Sequence, residues 1–129
     1  MRKTTYWVTT ALVGAVLAAG GVMDLLGPPE VVETLAALGY PAYLGPMLGV
    51  WKVLGTLALL APGFPRLKEW AYAGATFDFI GAAVSHAAVG DSIEKILVPI
   101  VFVGLNFASW WLRPESRKLP SAEQSAHAA

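Results

Sequence analysis

The chain has 129 residues, room for one ordinary domain. With 56% apolar and 14% charged residues it is too oily for a water-soluble domain, where about 25% charged is usual, and it reads as a membrane protein. Nine basic residues balance nine acidic ones and there is no cysteine, which excludes nucleic acid as a partner and rules out disulfides, dithiol relays and thiolate metal sites.

The first predicted element is the uncharged run Tyr6 to Met23, close to the roughly 20 residues that cross a bilayer. It follows Arg2 and Lys3 like a signal peptide. It lacks a small-x-small cleavage site, however, and further hydrophobic segments follow, so it reads as a retained span. Next comes "LGPPEVVETLAALGYP", with prolines suited to a first helical turn and Gly39 before Pro41 at its close. A short helix over residues 29 to 38 is expected, with Val31, Val32, Leu35 and Leu38 on one face, lying on the membrane surface. Three more spans follow, from about Tyr43 to Leu60, Trp70 to Ala88 and Ile96 to Leu112, joined by the tight connections "APGFPR" and "VGDS". The fold expected is all-α: a four-transmembrane-helix antiparallel bundle with a short interfacial helix between the first two spans. It occupies residues 1–113, and a polar tail, 114–129, is expected to be disordered.

Basic residues orient the bundle. Arg2, Lys3, Arg66, Lys68, Arg113, Arg117 and Lys118 fall on one side and only Lys95 on the other, so a multi-pass cell-membrane protein with both termini in the cytoplasm is expected. Trp7, Trp70, Trp110 and Trp111 also fall near the cytoplasmic ends, at headgroup level.

Ionisable residues inside spans are costly and mark function. At 1.5 Å rise per residue, Lys52 and Asp78 both lie roughly 12 to 13 Å from the cytoplasmic end of their helices, and they are expected to face each other. Asp24 and His86 lie at roughly 24 to 27 Å and are expected to form a second polar level. Gly45, Gly49, Lys52 and Thr56 share one face, as do Gly74, Asp78, Gly81, Ala82 and Ser85, while Gly14, Ala18 and Gly21 mark the first helix. Such small-residue stripes are helix-packing surfaces in lipid; the GxxxG at Gly45 to Gly49 is read as internal, with a homodimer contact as the alternative. The blander roles are a register-fixing Lys52–Asp78 bridge, solvation of Asp24 at its helix end, an interhelical hydrogen bond for Asn106, an interfacial pair of Glu69 with Lys68, and belt positions for Tyr40, Tyr43 and Tyr72.

The blocks "LGYPAYLG" (38–45), "LGVWKVLGTLALL" (48–60) and "LKEWAYAGATFDFIGAAVSH" (67–86), in this order, resemble the DoxX-like family of small integral membrane proteins, over about residues 5 to 112. The resemblance implies a four-helix membrane bundle. Some relatives look like membrane subunits associated with oxidoreductases, including a thiosulfate-to-quinone system and a complex with superoxide-detoxifying partners. Lys52, Glu69, Asp78 and His86 lie within the matching blocks.

Three functions fit these residues. In the first, an accessory subunit binds a lipophilic, quinone-like molecule for an oxidoreductase partner, with Lys52, Asp78 and His86 at the polar end of an apolar pocket and Trp51, Glu69 and Asn106 as further lining candidates. No covalently bound cofactor is expected, since the sequence carries no haem, dinucleotide or iron–sulfur motif. In the second, an intramembrane enzyme of isomerase, epoxide hydrolase or cyclase type uses Asp24, Asp78, Lys52 and His86 for acid–base chemistry on an apolar substrate. Proton-coupled transport ranks last, because four short helices without a visible repeat need a dimer to build a gated path. Membrane lipids are partners in every case.

Overall fold

Prolines open several helices and glycines close them. The computed structural model describes all residues 1–129 and contains helices and no strands: α1 Arg2–Leu26, α2 Pro29–Ala37, α3 Leu44–Leu60, α4 Pro65–Ala88, α5 Ile93–Trp111, a 3-10 turn Glu115–Arg117 and α6 Ala122–Ala128. Pro29 and Pro65 stand at the starts of α2 and α4, where a missing N–H costs nothing. Gly39 and Gly90 take positive φ, 85° and 72°. At each, two amides fold back on the last turn: Gly39 N to Ala36 O with Tyr40 N to Leu35 O, and Gly90 N to Ala87 O with Asp91 N to His86 O. These are helix stops that a left-handed glycine makes possible.

Four long helices form a ring in the order α1, α3, α4, α5, with α2 laid against α3. Neighbours run antiparallel, as successive contacts show. Gly14 approaches Thr56 and Leu60, Gly21 approaches Gly49, and the Asp24 carbonyl approaches Gly45. Likewise Tyr72 meets Asn106 and Ser109, while Phe79 meets Phe102 at 5.6 Å between ring centroids. The α1–α3 contact is the most extensive and the α3–α4 contact the slightest of the four. Val13, Leu17, Leu59, Tyr72, Ala75 and Phe79 form the core.

Hydroxyls knit that core. Thr10 and Ser109 lie 2.6 Å apart, Ser109 and Tyr72 2.8 Å, and Asn106 donates to the Tyr72 carbonyl at 3.0 Å and to Thr76 Oγ1 at 2.9 Å. Such interhelical bonds replace the hydrophobic drive that lipid does not supply. Outward, the helices present Leu12, Val16, Val50, Val84, Val101 and Phe107, an apolar exterior suited to acyl chains. By length and composition α1 and α5 are apolar enough to cross a bilayer; α3 is an apolar helix of 17 residues.

The tail departs from the expected disorder. Residues 115–117 and 122–128 are helical, and Arg117 is buried against the end of α3, donating to Leu59 O at 2.8 Å and Leu60 O at 3.2 Å with its guanidinium 4.8 Å from the Trp7 ring. Lys68, also buried, donates to the carbonyls of Ala58, Ala61 and Gly63. The last carbonyls of a helix need donors, and these two cations supply them. Composition alone gives them only a topological role.

Candidate functional site

Where α1 and α3 cross, glycine makes the approach possible. A Cβ on Gly49 would stand 2.8 Å from the Gly21 carbonyl oxygen and 3.0 Å from the Leu25 amide nitrogen, both backbone atoms that cannot yield. The crossing carries Lys52 across α1: its stem lies over Gly21 and its Nζ is 3.7 Å from where a Gly20 Cβ would be. The ammonium ends 2.9 Å from Asp24 Oδ2 and 3.8 Å from Asp78 Oδ2, with all three side chains largely buried.

The expected Lys52–Asp78 approach is present, but Asp24 is the tighter partner. The expected level joining Asp24 to His86 does not form. His86 Nδ1 instead meets Asp91 Oδ2 at 2.7 Å, held there by the Gly90 turn. The His86 hydrogen bond, and after it the charge of Lys95, holds the Asp91 carboxyl below its ordinary range. A depressed value means that this link stabilises the fold above the unfolded carboxylate pKa, about 4, and is lost as pH falls through the folded value. Amide exchange at Gly90 and Asp91 is therefore expected to accelerate below about pH 4, after correction for intrinsic rates. In Asp91→Asn it should be faster already at neutral pH and lack that acid step.

The remaining candidates separate as well. Glu69 does not pair with Lys68; it accepts from Trp110 Nε1 at 2.8 Å and pairs with Arg113. Tyr72 is buried rather than a belt residue, Tyr40 Oη lies 2.5 Å from Ser85 Oγ, and Tyr43 is exposed. The expected α4 packing stripe is open at Gly74 and Gly81, where an added Cβ would touch nothing.

That open stripe borders a groove of about 880 Å³ between α3 and α4. Its walls are chiefly apolar, with Trp51, Leu54 and Leu57 on α3 facing Trp70, Gly74 and Phe77 on α4. Two ionisable groups line it, Lys52 from α3 and Asp78 from α4, the latter about 12 Å along α4 from Trp70 by helical rise. Size and lining are those of a small-molecule site. Among the candidates Lys52, Asp78 and Trp51 line this groove; Asp24, His86, Glu69 and Asn106 do not. Asp24 lies behind it, gripping Lys52.

An all-helical chain with an apolar exterior, and with two helices long and apolar enough to cross a bilayer, has the character of a small helical membrane protein. The model of the DoxX-like family matches residues 8–109, and the chain belongs to that family. Comparison with curated proteins and with solved structures gives no significant match.

Proposed function

We propose that this protein binds a lipophilic small molecule in the α3–α4 groove, reached sideways from the bilayer. The observation that carries this reading is the groove itself: apolar along its length and ending on an ammonium and a carboxylate. In this reading α1, α3, α4 and α5 all span the membrane, α2 lies at the surface, and the basic ends of the helices face the cytoplasm with both termini. The antiparallel ring supports that arrangement.

A quinone-like ligand would meet Lys52 through a carbonyl, in keeping with a role beside an oxidoreductase partner that supplies the electrons. The presence of Asp78 in the same groove favours a second reading, acid–base chemistry on an apolar substrate, with Asp78 and Lys52 exchanging the proton. Binding comes first in either case. Titration of the detergent-solubilised protein with a short-chain quinone analogue is expected to quench Trp51 and Trp70. Trp51→Phe should remove much of the signal, and Gly74→Leu, which intrudes on the groove, should weaken binding several-fold. Quenching indifferent to both substitutions would count against the groove.

A further inference from the structure

The charge arrangement in the groove points to a narrower class of ligand. Asp24 and Asp78 bring two carboxylates to a single ammonium. Lys52 is 2.9 Å from Asp24, which lies behind the groove, and 3.8 Å from Asp78, which lies in it. The tighter pair neutralises itself, and the surplus carboxylate is the one on the ligand's side. No hydrogen bond secures the Asp78 carboxylate, and its neighbours in the groove wall are Phe77, Gly74 and Ala75. Asp78 shares that one ammonium at 3.8 Å, and two carboxylates on a single cation leave a net negative charge that is costly away from water.

A neutral carbonyl compound would bond to Lys52 and leave that charge unanswered. A ligand that carries its own positive charge answers it, and the indole rings of Trp51 and Trp70 with the Phe77 ring offer faces that attract cations. We propose that the groove takes a lipophilic cation, a hydrophobic amine or onium ion, with Asp78 as its counter-ion and Asp24 as the positioning residue that holds Lys52 away from it. This rests on the reading of the α3–α4 groove as the binding site.

The test compares tetraphenylphosphonium with triphenylphosphine oxide, an uncharged relative whose oxygen would suit Lys52, by calorimetry on the full chain in nanodiscs of phosphatidylcholine. The phosphonium is expected to bind at least about ten-fold more tightly, the equivalent of one good charged contact. Asp78→Asn should erase that preference by weakening the phosphonium alone, Asp78→Glu should retain it, and Gly74→Trp should abolish binding of both probes. An oxide that binds as well as the phosphonium, or a phosphonium indifferent to Asp78→Asn, overturns the proposal. If the oxide alone binds and is expelled by Gly74→Trp, the cation is refuted while the groove stands. If Gly74→Trp affects neither probe, both fail.

Discussion

Replacing Lys52 with methionine is expected to destabilise the bundle by about 3–5 kcal/mol, the usual cost of removing one partner from a buried ion pair. The substitution does more than delete a bond. Asp24 and Asp78, both within 4 Å of the ammonium, would be left as two like charges with no cation between them. Removing the carboxylates too, in Lys52→Met/Asp24→Leu/Asp78→Leu, should recover much of the loss, because a well-packed apolar cluster needs no counter-charge. Reversible unfolding in mixed micelles reads both values. Losses that simply accumulate from one variant to the next would mean that the three groups do not interact.

Gly49→Ala is expected to cost about 1–3 kcal/mol, although it adds a single methyl group to a helix. In an open helical position the same change would stabilise. Here the new carbon meets the backbone of Gly21 and Leu25 at 3.0 Å or less, so α1 and α3 must separate. That separation also draws Lys52 away from Asp24. Gly55→Ala is the control, since an added Cβ there meets nothing within 4 Å; it should be neutral or slightly stabilising in the same unfolding assay.

Hydropathy, proline and glycine punctuation revealed the helices, their order and the turns at Gly39 and Gly90, because these depend on local chain chemistry. The depth count brought Lys52 and Asp78 together for the same reason. It failed for Asp24, since a count of backbone rise treats each side chain as sitting at its own Cα. Lysine has a long flexible stem, and that of Lys52 crosses the flat surface left by Gly20 and Gly21 to reach an acid on another level. His86 shows the opposite limit: its partner Asp91 is five residues along the chain, delivered by the Gly90 turn, and backbone depth says nothing of so local an acid. Lys68, Arg113 and Arg117 show a third limit. Counted as orientation signals, they are also donors and ion-pair partners within the bundle, and only the packing of the α3 end and the tail reveals it. The α4 glycine stripe has the composition of a packing surface, yet part of it borders open space; composition fixes how closely a helix can be approached, not whether a neighbour comes.

The most direct test is a dipolar-coupling measurement by solid-state NMR in lipid bilayers, between lysine Nζ labelled with nitrogen-15 and aspartate Cγ labelled with carbon-13. Two short contacts are expected from Lys52, a stronger one lost in Asp24→Asn and a weaker one lost in Asp78→Asn. A Lys52 signal with no aspartate carbon nearby, or one unchanged by either substitution, would contradict the inward-facing cluster on which the proposed binding groove depends.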